Sequence, residues 1–236
     1  MIWNAILCSL LFADFHSANQ LYDAGKFADA ATAYEKIEPK TAHVYFNLGN
    51  ALFRQEKFGL AVLNYERARR LAPRDPDILA NLRFTRQRLG VEERERLLPV
   101  ILGSRTVVEW SRYETAALWL TVLAVAGAVW LRRVRAGMIL VAVVAGLATV
   151  VTASAVVMQS RAPSAAIVIA GAVDAHFAPT TDATVHFRLI EGSRVMVRED
   201  RGAWLLVERG GGQQGWIETE AVALVAPPGI LVGALR

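Results

Sequence analysis

The residues best equipped to attack a substrate, hold a metal or carry a proton are few, and their spacing does not combine them. The four histidines, His16, His43, His176 and His186, never fall at the i, i+4 interval that sets two imidazoles on one helix face. His176 and His186 share a segment rich in strand formers, but two histidines without a carboxylate partner are an incomplete ligand set. Cys8 is the single cysteine, so neither an intramolecular disulfide nor a cysteine-based metal site is available. No G-x-S-x-G or H-E-x-x-H appears, nor a glycine-rich GxxxxGK loop, and no nucleophile–base pair emerges. The sequence therefore predicts no catalytic residue, no metal site, no cofactor and no enzyme activity. Function must rest on surfaces.

The charge balance narrows those surfaces. Lys and Arg number 26 against 22 Asp and Glu, a net charge of +4. The basic residues are mostly Arg beside apolar stretches or on helices, a pattern suited to membrane orientation rather than nucleic acid. Hydrophobic residues make up 54% of the 236-residue chain, more than one soluble globule of this size calls for. The surplus is local. Met1 to Ala13 is an apolar run shorter than the roughly 20 residues a membrane span needs. It reads either as the core of an export signal, with Ala13 as the small residue before cleavage, or as an apolar extension of the first helix.

A shift of 31 residues superimposes Asn19-Gln20-Leu21 on Asn50-Ala51-Leu52, Lys26-Phe27 on Lys57-Phe58, Ala30 on Ala61, and Tyr34-Glu35 on Tyr65-Glu66. Coincidences at one offset mean repeated helix pairs. The second copy has Tyr45, Leu48, Gly49, Leu52, Phe58, Ala61, Tyr65, Ala68 and Pro73, and this pattern resembles the tetratricopeptide repeat. Gly49 and Ala61 are small where two helices approach, and Pro73 stops the second helix. In the first copy Ala18 replaces the glycine. Asp75 caps and Pro76 opens a third helix that Gly90 ends, so residues 76–89 form a capping helix over the second repeat. The resemblance implies a peptide groove lined by Asn19, Tyr22, Phe46, Asn50, Phe53 and Arg54, with Phe84 and Arg88 from the cap. Arg67, Arg69, Arg70, Arg74, Arg83, Arg86 and Arg88 read either as a solvated helix face or as a surface for lipid headgroups or an acidic partner.

Residues 115–131 and 136–158 carry no charge. With Tyr113 and Glu114 at the interface the first reaches spanning length, and the second spans outright. Trp110, Tyr113, Trp119 and Trp130 suit the headgroup level. Between the runs, Arg132, Arg133 and Arg135 place the short turn in the cytoplasm by the positive-inside rule, and both large soluble parts then lie outside. No intramembrane acid or base marks an ion path.

From Ala165 the pattern becomes period-two alternation in five strand candidates, Ala166–Ile169, His186–Leu189, Arg194–Arg198, Trp204–Glu208 and Gly215–Glu218. Leu189 to Val197, Gly202 to Val207 and Gly215 to Ile217 resemble bacterial SH3 domains, which implies a small β-barrel. Only Val173 and Pro179 survive of the turn those domains carry near their start, and Trp216 is the candidate on the ligand face.

The predicted order is therefore a signal-like segment at 1–13, tetratricopeptide repeats at 14–90, a linker at 91–112, and a membrane hairpin with helices at 113–131 and 136–158 around the turn 132–135. A linker at 159–164, an SH3-like barrel at 165–226 and a tail at 227–236 complete it. This is a multi-domain α-then-β chain, an α-solenoid followed by a transmembrane hairpin and an SH3-like barrel. The order resembles BatE-like proteins of the Bacteroides aerotolerance system. That resemblance implies a scaffold in the bacterial inner membrane with both soluble modules on the outer side. It also implies membrane-anchored von Willebrand A-domain proteins and a MoxR-type AAA+ ATPase as partners, besides membrane lipid and without nucleic acid. A cell-wall protein that holds peptidoglycan peptide is the alternative.

Overall fold

The computed structural model describes residues 14–91, 105–160 and 164–225. The signal-like segment at 1–13 and the tail at 227–236 lie outside them, as does most of the first linker. The chain divides into two compact units, one made of Met1–Arg94 and Pro163–Arg236, the other of Glu95–Ala162.

In the first unit, residues 14–23 are helical (α1), followed by α2 (Phe27–Lys36), α3 (Ala42–Arg54), α4 (Phe58–Leu71) and α5 (Pro76–Leu89). Local chemistry sets several of these limits. Thr41 accepts from the Val44 N–H at the start of α3. Asp75 accepts from the Asp77 and Ile78 N–H groups, Pro76 occupies the first turn, and Gly90 ends α5 at φ 70°. Gly49 lets α3 and α4 meet: a Cβ there would lie 2.7 Å from the Tyr65 ring. Ala18, its counterpart one repeat earlier, is wholly buried.

The C-terminal part is a seven-stranded antiparallel sheet in the order β3-β2-β6-β5-β4-β1-β7. Its strands are β1 (Ala165–Val168), β2 (Ala172–His176), β3 (Val185–Ile190), β4 (Arg194–Asp200), β5 (Trp204–Glu208), β6 (Gln214–Glu218) and β7 (Val222–Leu224). The strand candidates correspond to β1, β3, β4, β5 and β6. β2 and β7 were not legible in the sequence. β2 alternates through small and polar residues, Ala172-Val173-Asp174-Ala175-His176, so the segment from Val173 to Pro179, which keeps only its first and last residues of the SH3 turn, begins as a strand. β7 is too short to show a period. The expected barrel is not closed: the sheet ends at β3 and β7, which do not pair. The last strand is three residues long and its pairing is with β1.

Helix α4 joins these two parts. Lys57, its N-cap, makes no side-chain cap bond. Glu191, in the turn before β4, reaches across and accepts from the Gly59 N–H at 2.5 Å, supplying an acceptor for a donor the helix leaves unpaired. Arg67 donates to the Leu224 carbonyl at 2.9 Å. Gly192, at φ 78°, lies so close to Leu89 that a Cβ would come within 2.5 Å of its Cδ1. Ile167 and Val225 belong to the same apolar core as Leu48, Val62 and Tyr65. Repeats and sheet share one interior.

At this junction sits a buried carboxylate. Glu66 is 1% exposed and accepts from Arg86 at 2.5 Å and from Arg69 at 3.0 Å. Burial by itself would push its pKa up, but the charges of Arg69, Arg194 and Arg86 outweigh it and hold the carboxyl below its usual value. The arginine-rich stretch is thus split. Arg67, Arg69 and Arg86 serve the interior, whereas Arg70, Arg74, Arg83 and Arg88 are exposed.

The second unit consists of α6 (Val107–Trp130) and α7 (Arg135–Ser160), joined by a single 3-10 turn at Arg132–Val134. Thr106 and Glu109 form a capping box at the start of α6. The helices run antiparallel, with Gly127 facing Met138 and Gly146 facing Thr121. Ala124, Ala128 and Ala145 are buried between them, so backbones approach on small residues. Leu123, Leu140, Leu147 and Val151 point outward and are exposed. Both helices are long and apolar enough to cross a membrane.

Glu66→Gln leaves three guanidinium groups around a neutral amide, and the loss of one member of a buried ion pair costs about 3–5 kcal/mol. The folded carboxyl titrates below its unfolded value, so its stabilisation is complete above the unfolded range of about 4.3 and disappears as pH falls through the lower folded value. Denaturant unfolding of the whole chain in detergent, from neutral to acid pH, should show reduced stability in Glu66→Gln at neutral pH. The gap to the parent protein should narrow in acid.

Candidate functional site

The groove residues inferred from the repeats fall into two kinds. Asn19 and Asn50 are engaged by the fold. The Asn19 Oδ1 accepts from Tyr34 Oη at 2.5 Å and from Asn47 Nδ2 at 3.2 Å. One repeat later the Asn50 Oδ1 accepts from Tyr65 Oη and Asn81 Nδ2, both at 2.8 Å. Burial pushes the Tyr34 hydroxyl up to about 12 and raises that of Tyr65 as well, so both keep the proton they donate. Asn47 and Asn81 were missed as partners. For Asn81 the spacing held a clue, since Asn19, Asn50 and Asn81 stand at equal intervals of 31 residues.

The remaining residues form two aromatic–arginine clusters that repeat along the surface. In the first, Tyr22 meets Phe27 edge-on at 5.2 Å and Arg54 lies over the same ring at 4.2 Å. In the second, Phe53 meets Phe58 at 5.3 Å and Phe84 at 5.8 Å, while Arg88 covers Phe58 at 5.2 Å. Phe27 and Phe58, which open α2 and α4, carry the cations and were not named as groove residues. The offset of 31 that relates them was visible. Phe46 is half-buried against the Tyr65 ring at 5.9 Å and belongs more to the helix packing. Phe84 is 57% exposed, and Arg54 and Arg88 are exposed. Rings and guanidinium planes presented together suit an extended peptide with aromatic or acidic side chains.

On the sheet, Trp216 is only 7% exposed and lies beneath the Arg201 guanidinium at 4.6 Å. The open aromatic surface is elsewhere. Phe177, 63% exposed, stacks on His186 at 4.2 Å, and Arg209 lies over Phe187 at 5.1 Å. His186 Nδ1 is 2.9 Å from the Gln214 carbonyl and His176 Nδ1 is 2.7 Å from that of Ala183. A carbonyl only accepts, so Nδ1 carries the hydrogen in both rings. Arg132, Arg133 and Arg135 are all exposed at the turn of the second unit.

The two kinds of groove residue should separate in stability measurements. Asn50→Ala strands the Tyr65 hydroxyl and the Asn81 amide and should cost about 1–3 kcal/mol. Phe84→Ala, on an open surface, should stay within about 0.5 kcal/mol of the parent. Urea unfolding of the full chain followed by circular dichroism reads both.

Among known proteins, the model of the tetratricopeptide repeat family matches residues 42–75. No curated protein and no solved structure matches the chain. The matched residues include α3 and α4, the helices that carry Asn50, Phe53, Arg54 and Phe58. Residues 42–75 are a tetratricopeptide repeat within a longer helical repeat region, the architecture of a protein-interaction module.

Proposed function

We propose that the chain is a membrane-anchored scaffold of the bacterial cell envelope that binds partner proteins through its repeat region. The supporting observation is the pair of aromatic–arginine clusters around Phe27 and Phe58, with exposed arginines, the second centred on a helix within the matched tetratricopeptide repeat, a repeat type that binds peptides. Tetratricopeptide repeats are typically interaction modules without chemistry of their own, which agrees with the absence of catalytic motifs from the sequence. On this reading α6 and α7 cross the inner membrane, the arginine turn is cytoplasmic, and the repeats and the sheet lie outside. The sheet is then an SH3-like module, and the order of parts is that of BatE-like proteins. Its partners are membrane-anchored von Willebrand A-domain proteins that work with a MoxR-type AAA+ ATPase.

Co-purification with such an A-domain protein from detergent-solubilised membranes tests the binding surface. Arg54→Glu with Arg88→Glu, both exposed, should reduce recovery about tenfold or more without loss of helical signal. Undiminished recovery would remove the groove from the reading. Protease accessibility in spheroplasts tests the topology: tags at both ends should be cleaved, and a protected C-terminal tag would reverse the orientation.

A further inference from the structure

We propose that the turn between α6 and α7 is a binding site for an anionic phospholipid. The lipid phosphate meets Arg132, Arg133 and Arg135, and an acyl chain lies in the cleft between the helices. This rests on the reading that the two helices span a membrane.

The cleft comes first. Between the facing sides of α6 and α7 is an open trough of about 330 Å³ lined by Val125, Val129, Ile139 and Val143, with Thr121 and, at the turn end, Arg135. The Thr121 hydroxyl already donates to the Ala117 carbonyl at 2.8 Å, so the lining behaves as apolar up to the arginine. Along α7 the distance from Arg135 to Val143 is about 12 Å, the length of the upper part of an acyl chain. A trough that is charged at one end and apolar beyond has the polarity of an amphiphile.

Charge supplies the second, independent observation. No Asp or Glu occurs between Thr115 and Ser160. The first acid back along α6 is Glu114, about 27 Å from the turn by helix rise. Among the described residues, three exposed guanidinium groups therefore gather where the unit's carboxylates do not reach. Each offers a planar fork of donors that matches a phosphodiester. A free phosphate would satisfy the arginines but leave the trough open, whereas a lipid of the phosphatidylglycerol class fills both with one molecule. A zwitterionic lipid adds an ammonium group to the same cationic cluster and is disfavoured there.

The test uses the full chain reconstituted into vesicles of phosphatidylcholine and phosphatidylglycerol in equal amounts. Resistance to alkaline carbonate first establishes insertion, and extraction by carbonate would overturn the membrane reading itself. Inserted protein is then released into mild detergent and its retained lipid identified by native mass spectrometry. Phosphatidylglycerol should be retained in preference to phosphatidylcholine. Arg132→Gln with Arg133→Gln and Arg135→Gln should lower its retention by about fivefold or more. Because removal of the arginines also bears on orientation, Ile139→Trp provides a variant that fills the trough and keeps every charge; it should lower retention too. Four results would overturn the site: equal retention of both lipids, retention unchanged by Ile139→Trp, displacement of the lipid by glycerol phosphate at equal concentration, or a lipid-free dimer in which a second copy occupies the trough.

Discussion

A carboxylate shut away from water at the centre of a helix constrains everything packed around it. Glu66 stands on α4 between Arg69 of its own helix, Arg86 of α5 and the charge of Arg194 at the start of β4. An isolated charge in that position would be strongly unfavourable, so the three cations have to arrive together. Their arrival fixes the capping helix against the second repeat and the sheet against both. The same helix has its first turn completed by Glu191 and its far end tied to Leu224 through Arg67. Beyond α4 the repeats continue only as the single helix α5, and here α5 and the sheet together cover α4.

That arrangement decides which repeat surface stays open. With α4 turned toward the sheet, the aromatic–arginine clusters around Phe27 and Phe58 remain available. They recur because the sequence recurs: a phenylalanine opens each second helix, an aromatic residue from the first helix meets its edge, and an arginine from the following first helix covers its face. Beneath them, Asn19 and Asn50 each accept two hydrogen bonds and hold consecutive helices in register. The rigidity of the surface comes from residues that do not form its exposed part.

The second unit follows a different rule. Its helices approach each other on alanine and glycine and send large aliphatic side chains outward, the reverse of a soluble pair. Hydroxyls of Thr121, Thr149 and Thr152 donate to carbonyls four residues back, so these polar groups are satisfied within the helix. The remaining charge lies at the two ends of the pair, in the arginine turn and in Arg105, Glu109, Arg112 and Glu114 around the start of α6.

Periodicity carried the helical repeat and the small residue at Gly49, and uncharged composition carried the apolar character of α6 and α7. These depend on residues close in sequence or on a pattern that recurs at a fixed interval. The main strands of the sheet were legible for the same reason. Tertiary structure alone decided what becomes of particular side chains. Asn19 and Asn50 have the position of groove residues, yet their oxygens are taken by tyrosines 15 residues away. Trp216, a candidate ligand residue, is covered by an arginine from another strand connection. Arg67 and Arg86 read as surface charges until their partners, a carbonyl in β7 and a carboxylate on α4, are brought to them. Whether the sheet closes depended on the length of its last strand and on which neighbour it paired with. Amino-acid type and spacing set which elements form; only the long-range contacts settle which polar atoms are used up inside and which remain for a partner.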